Sequence, residues 1–220
     1  MFFALSGGAS QVRTESFVDV TGAEHLSLVA PLNWRAAFTV GWWPTDWLGV
    51  QFDSAVMGLG VGADGRGEWS TSGVGVQLSP SLRLALPLRW VAPYVGVGIA
   101  GFVPFVGEQR GDVRWRGTAG LLFGPRFYAG LNVYLSRDVR AFVDLELFFV
   151  SMGATLRAEG LVPASHAYRT LAAPSLSLGV AWTPEAYRQS SSKPTWVLLA
   201  LLPAIAMGVV SAIAIAEAAP

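Results

Sequence analysis

The sequence predicts an all-β fold: an eight-stranded antiparallel up-and-down transmembrane β-barrel, followed by a C-terminal apolar helix. Three observations predict it. Bulky apolar residues alternate with small or charged residues in successive segments, short and long links alternate between those segments, and aromatic residues cluster beside the links. Composition agrees, because 52% of the 220 residues are hydrophobic and only 14% are charged.

The alternation is clearest from Val139 to Phe149. Odd positions there are apolar, whereas Arg140, Asp144 and Glu146 share the opposite face. Similar segments begin near residues 34, 48, 74, 95, 118 and 176. In each one the second face is too small or too charged to form the apolar core of a soluble barrel. We therefore expect the bulky apolar faces to point to lipid and the small or charged faces to point into the lumen.

Seven charged side chains fall on lumen-facing positions of this pattern. Four are positive and three are negative, so that they can pair inside the barrel. We expect a salt-bridged network that fills the lumen and leaves no open pore. The residues are Arg35, Asp53, Arg83, Arg126, Arg140, Asp144 and Glu146.

The links between the predicted strands alternate in length. The short links, which have the composition of periplasmic turns, are residues 44–46, 87–93 and 136–138. The longer links, rich in glycine and charge as extracellular loops are, comprise residues 60–69, 107–114 and 151–169.

Aromatic residues beside these links predict two girdles at the membrane interfaces. The girdle by the short turns comprises Trp42, Trp43, Trp47, Trp90, Tyr94 and Tyr134. The girdle by the long loops comprises Trp69 and Trp115.

The segment from Met1 to Ser10 is the candidate for the first strand. It resembles residues 147–151, the outer end of the last ascending strand, and it lacks the basic and apolar regions of a signal peptide. We expect a truncated start inside the first strand. The competing interpretation is that Met1 is the true start and the protein is never exported.

The chain divides into three predicted parts. Residues 1–183 form the barrel, residues 184–195 form a polar linker, and residues 196–216 contain no charge. The last part is long enough to cross a bilayer as a helix, despite Pro203 and Gly208. Such a helix favours retention in the inner membrane, so an unexported inner-membrane protein anchored by this helix stays an alternative.

The segments 91–100 and 127–147 resemble the small outer-membrane β-barrel families, a porin-like superfamily that contains the OmpA-type transmembrane domain and OmpW. The resemblance covers roughly residues 1–183. It implies a bacterial outer-membrane location and a role as a structural anchor, an adhesin or a conduit for small apolar molecules. It also implies membrane lipid, lipopolysaccharide in particular, and the barrel-assembly machinery as partners.

Other functions find little support in the sequence. The formal net charge of zero argues against nucleic-acid binding. With no cysteine, and with His25 and His166 both expected in extracellular loops, we predict no metal site and no cofactor. The spacing of His25 and Ser27 resembles that of a lipid A deacylase barrel, but no matching acid follows, so we expect no enzyme. Arg110-Gly111-Asp112 spells a cell-adhesion tripeptide that we interpret as a solvated turn.

These observations together predict an integral outer-membrane β-barrel with a structural, anchoring or surface-binding role and no open pore. A conduit for small apolar molecules and a lipid-modifying enzyme stay as alternatives.

Overall fold

The structure is a computed structural model. It describes residues 1–11, 13–18, 24–29, 32–59, 62–63, 69–88, 90–110, 112–118, 120–157 and 164–183. All the regular elements within these ranges are strands. They are β1 (Phe2–Ser10), β2 (Arg13–Val18), β3 (Glu24–Val29), β4 (Asn33–Trp42), β5 (Leu48–Gly58), β6 (Gly62–Ala63), β7 (Trp69–Ala85), β8 (Val91–Arg110), β9 (Val113–Thr118), β10 (Leu122–Tyr134), β11 (Val139–Arg157) and β12 (Ala164–Trp182).

The twelve elements build one closed antiparallel barrel of eight strands. Four of the eight strands are each divided into two elements: β1 with β2, β3 with β4, β5 with β6, and β9 with β10. The two elements of each strand pair with the same neighbouring strand. Thus β1 and β2 both pair with β12, β5 and β6 with β7, and β9 and β10 with β8, while β3 and β4 pair with β2 and β1. The barrel closes because β1 pairs with β4 on one side and with β12 on the other. The predicted eight-stranded antiparallel barrel is confirmed.

The two faces of the wall differ as the alternation predicts. On β11, Leu145 is 62% exposed on the outside, whereas the next residue, Glu146, is 6% exposed in the lumen. Each of the eight strands contributes at least one large exposed apolar side chain to the outer surface: Leu5, Trp34, Val50, Leu82, Val97, Phe127, Leu145 and Leu178. A continuous apolar band therefore surrounds the barrel, as on barrels that contact lipid.

Inside the barrel, two apolar layers enclose a polar one. At the end with the short turns, Phe2 and Phe142 pack with Ala4, Ala181 and Trp43. Towards the other end, the rings of Phe102 and Phe148 lie with their centroids 5.3 Å apart beside buried Met57 and Leu59. The lumen is therefore filled at three levels, as expected for a barrel of this strand number.

Glycines make room for the aromatic rings in this narrow interior. A Cβ atom added at Gly75 would lie 2.3 Å from the Phe102 ring, and one added at Gly179 would lie 2.3 Å from the Phe142 ring. Neither position therefore accommodates a side chain while the facing ring keeps its place.

The predicted short turns are confirmed between β4 and β5, between β7 and β8, and between β10 and β11. The predicted long loops are wrong in extent, because β8 continues to Arg110 before β9 begins at Val113, and β11 continues to Arg157. The backbone pairing continues along these segments, although their sequence lacks the regular alternation of the rest of the barrel.

The predicted linker and apolar helix, residues 184–195 and 196–216, lie outside the described residues. In the part of the chain that the structure describes, no helix combines the length and the hydropathy that a membrane crossing requires.

We predict that Gly75→Ala destabilises the barrel by about 1–3 kcal/mol, because the added methyl group overpacks the layer around Phe102. Gly7→Ala is the control, since the nearest atom to its Cβ is 3.9 Å away. Urea unfolding of the lipid-reconstituted chain, followed by tryptophan fluorescence, measures both. Equal unfolding midpoints for the two variants would contradict the tight packing of this layer.

Candidate functional site

The middle of the lumen is filled by hydrogen-bonded polar side chains centred on Glu146. Arg35 Nη2 donates to Glu146 Oε2 at 2.8 Å, and Arg126 Nη2 donates to the same oxygen at 2.7 Å. Gln77 Nε2 donates to the other carboxylate oxygen, Oε1, also at 2.7 Å. Three donors from three other strands therefore orient one buried carboxylate, and the two arginines among them neutralise its charge.

A second carboxylate, Asp53, is joined to the first through Arg126. Arg126 Nη1 donates to Asp53, the hydroxyl of Thr39 donates to its Oδ1, and Gln51 Nε2 donates to its Oδ2 at 2.9 Å. Both carboxylates are thus held by the same guanidinium group. We call the connected set the lumen network: Arg35, Thr39, Gln51, Asp53, Gln77, Ser79, Arg126, Glu146 and Ser177.

The third carboxylate, Asp144, belongs to a neighbouring group nearer the short-turn end. The Tyr94 hydroxyl donates to Asp144 Oδ1, and Arg83 Nη2 lies 3.9 Å from Asp144 Oδ2. The Arg83 guanidinium carbon stacks 3.9 Å from the Tyr94 ring centroid. A cation–π contact therefore supplements an ion pair at the limit of direct contact.

Arg140 stands apart from the other six predicted lumen charges. Its guanidinium carbon lies 4.4 Å from the centroid of the Phe2 ring and 5.6 Å from that of Trp43. Among the described residues no carboxylate forms a salt bridge with it, and its buried Nη2 has no hydrogen-bond partner there. Aromatic faces are therefore what stabilise this cation in the described part of the lumen.

The structure corrects three members of the predicted girdle by the short turns. Tyr94 is 4% exposed and lies in the lumen, Trp43 packs on the Phe2 ring inside the barrel mouth, and Tyr134 lies directly across from Arg140 on the lumen face. Closeness to a turn suggests a girdle, but the alternation of the strand decides the face, and Tyr94 shares its face with Gly96 and other lumen positions.

The remaining girdle residues divide into two groups. Trp47 and Trp90 are 55% and 64% exposed beside the short turns, and Trp42 is half-buried on the outward face of β4. The side chains of Trp69 and Trp115 lie outside what the structure describes.

The predicted network contains only charged residues, and the structure adds uncharged members such as Gln77 and Ser177, which lie on the predicted lumen face. The lumen rings of Phe102, Phe142 and Phe148 were not predicted. The sequence does contain a signal for the two phenylalanines of β11. Phe142 and Phe148 lie at even positions, as Glu146 does, and residues at even positions of this strand share the lumen face.

The two histidines were predicted to lie in extracellular loops, but neither does. His25 falls in β3 and His166 in β12, so that part of the prediction is wrong, and their side chains lie outside the described residues. Within the described residues no group of three His, Cys, Asp or Glu side chains could hold a metal ion.

No protein-family model matches the chain. A search of curated proteins found no match either. Among solved structures, the chain is similar to Neisserial surface protein A, with a TM-score of 0.51 and 13% identity over 82% of this chain and 96% of that one. The chain has the fold of a small outer-membrane β-barrel.

Two further solved structures have similar coverage. The outer-membrane protein OprG from Pseudomonas aeruginosa matches with a TM-score of 0.48 and 13% identity over 83% of this chain and 96% of that one. A major outer-membrane protein from Thermus thermophilus matches with a TM-score of 0.48 and 14% identity over 81% of this chain and 98% of that one. At such identities the similarity concerns the fold, so function has to be argued from this chain's own residues.

We predict that Glu146→Gln lowers the free energy of unfolding by about 3 kcal/mol or more, because Arg35 and Arg126 lose the charge that compensates them. Asp46→Asn, in an exposed turn, is the matched control. Urea unfolding of both variants in the same lipid measures the effect. A loss below about 1 kcal/mol for Glu146→Gln would show that the lumen network contributes little to stability.

Proposed function

We propose that the chain is an integral protein of a bacterial outer membrane, and that it acts as a structural anchor or surface-binding scaffold without an open pore. The observation that carries the proposal is the lumen network, which crosses the middle of the barrel and joins β4, β5, β7, β10, β11 and β12. An anchor needs a rigid wall of this kind and no aqueous path.

Two features support a closed lumen: the small diameter of the barrel and the paired charges inside it. An eight-stranded barrel is just wide enough for side chains to fill it, and the side chains of Arg35, Arg126 and Glu146 are almost completely buried. An ion path would have to separate Arg126 from both of its carboxylates. Unpaired charges in so dry an interior cost several kcal/mol each.

The apolar outer surface of the barrel supports the proposed location in the membrane. A soluble protein rarely exposes an apolar band that runs round the whole molecule, and a closed barrel satisfies its backbone hydrogen bonds without water. Membrane lipid is therefore the proposed partner of the band. The barrel-assembly machinery, which inserts barrels of this class, is the proposed partner during folding.

The length of the strands supports the proposed surface-binding role. A transmembrane strand needs about 9–11 residues to cross the bilayer, whereas β8 has 20 residues and β11 and β12 have 19 each. The excess forms a paired sheet beyond the apolar band, at the end opposite the short turns. A raised and ordered sheet offers a surface for contact and adds nothing to a channel.

The proposed role of the chain includes no catalysed reaction. The two carboxylates of the lumen network are held by arginine and amide donors in the closed lumen, where no substrate can reach them.

We predict that the wild-type chain, reconstituted in a planar lipid bilayer, gives no stable channel current. The reason is that the lumen network and the two apolar layers leave no continuous water path. A sixteen-stranded porin inserted by the same protocol is the positive control, and a shift in gel migration on heating verifies that the chain has folded. Reproducible unitary currents from folded wild-type protein would refute the closed lumen.

A further inference from the structure

The mouth of the lumen at the short-turn end contains a buried arginine without a carboxylate partner. Arg140 is near the start of β11 and lies across from Ala181 on β12. It is 9% exposed, and none of the salt bridges between described residues includes it. Asp138, just before β11, is exposed in the turn. Arg140 therefore places a positive charge at the mouth that no described carboxylate neutralises.

The aromatic rings beside Arg140 act on its charge and leave its hydrogen-bonding capacity unused. The guanidinium carbon lies 4.4 Å from the centroid of the Phe2 ring and 5.6 Å from that of Trp43. A cation–π contact attracts the charge, whereas each N–H of the guanidinium group still needs an acceptor. The buried Nη2 atom of Arg140 finds none among the described residues. An acceptor at this atom would therefore complement the two rings and would not replace them.

A second donor without an acceptor belongs to the same cluster. The indole Nε1 of Trp43 is buried and has no hydrogen-bond partner in the described part of the chain. The Trp43 ring lies with its centroid 6.1 Å from that of Phe2. An indole N–H can only donate, and a buried donor without an acceptor costs free energy. Two neighbouring donors, one of them cationic, are thus complementary to an anion that accepts from both.

The charge balance of the lumen indicates which anion fits. The seven charged side chains of the lumen comprise four arginines and three carboxylates, so that one positive charge remains, and Arg140 carries it. A monoanion neutralises this charge, whereas a phosphate dianion would leave excess negative charge in the same dry region. The two oxygens of a carboxylate also match the planar donors of a guanidinium group. The rings of Phe2 and Phe142 narrow the mouth and favour a small ligand.

We propose that Arg140 and Trp43 form a carboxylate-binding site at the short-turn mouth of the barrel. The carboxylate accepts hydrogen bonds from Arg140 Nη2 and Trp43 Nε1. Trp43 follows the last residue of β4 and is half-buried, so that its indole ring can turn to admit the ligand. A small organic acid and an acidic side chain are two sources of the same chemistry. The site goes beyond the proposed anchoring function, and it depends only on the closed barrel.

The test follows the indole N–H resonance of Trp43 by NMR on the isotope-labelled full chain in detergent micelles. Trp43→Phe assigns this resonance. Sodium acetate replaces sodium chloride at constant ionic strength, at a slightly alkaline pH where phosphate is mainly a dianion. We expect acetate to move the resonance in a saturable manner, with half-saturation in the millimolar range, and phosphate to act about tenfold more weakly.

Three variants identify the site and the source of the carboxylate. Arg140→Met removes the charge and should raise the half-saturating acetate concentration about tenfold or more. Arg137→Met removes an exposed arginine from the adjacent turn and is the matched control, which should respond as the wild type does. Glu185 is the first acidic residue after β12 in the sequence. If its side chain is the ligand, acetate moves the resonance in Glu185→Gln and not in the wild type, whereas a free acid as ligand gives equal responses in both.

Heat-modifiable gel migration verifies that each variant has folded. If Arg140→Met does not fold, Arg140→Lys takes its place, because lysine keeps the charge without the planar fork, and it should bind acetate about threefold more weakly. The proposal is overturned if acetate acts equally on the responding chain and on its folded Arg140 variant. It is also overturned if acetate acts on neither the wild type nor Glu185→Gln, or if phosphate acts more strongly than acetate. A wild type without a migration shift would instead contradict the closed barrel, and the proposed function with it.

Discussion

The bonding of Glu146 to Arg35 and Arg126 is the interaction on which the rest of the structure depends. Charges buried in a membrane-spanning barrel cost several kcal/mol each unless they are paired, and these partners come from β4, β10 and β11. A slip of one residue in any of these strands would turn its charge towards lipid. The lumen network therefore fixes the strand register, and the register in turn fixes which side chains form the apolar band.

Packing around the lumen network follows from the narrow interior. The bulky rings of Phe102 and Phe142 fit because Gly75 and Gly179 face them, and so the glycine content serves the packing of the lumen. Beyond the Phe102 layer, β8 and β11 continue as paired strands to Arg110 and Arg157. One architecture therefore combines a barrel filled by side chains with a longer paired sheet at one end.

The sequence predicts the eight-stranded barrel, because the strands depend on an alternation of period two that is local. It predicts neither the partners of each charge nor the outer ends of the longest strands. Arg35 and Glu146 are separated by 111 positions, and only the closed sheet brings them together. The prediction for Tyr94 is wrong because closeness to a turn says nothing about parity, which decides the face. The outer ends of β8 and β11 resemble loops in the sequence because their residues do not alternate regularly, although the backbone pairing continues through them.

The most direct test of the account is membrane fractionation of the full-length gene product, combined with migration on a denaturing gel before and after heating. Recovery in the outer membrane, with a migration shift on heating that is lost or weakened in Glu146→Gln, is the predicted result, because it reports an exported closed barrel that the lumen network holds together. Recovery in the inner membrane without any shift would contradict the account and would make residues 196–216 the segment that determines location.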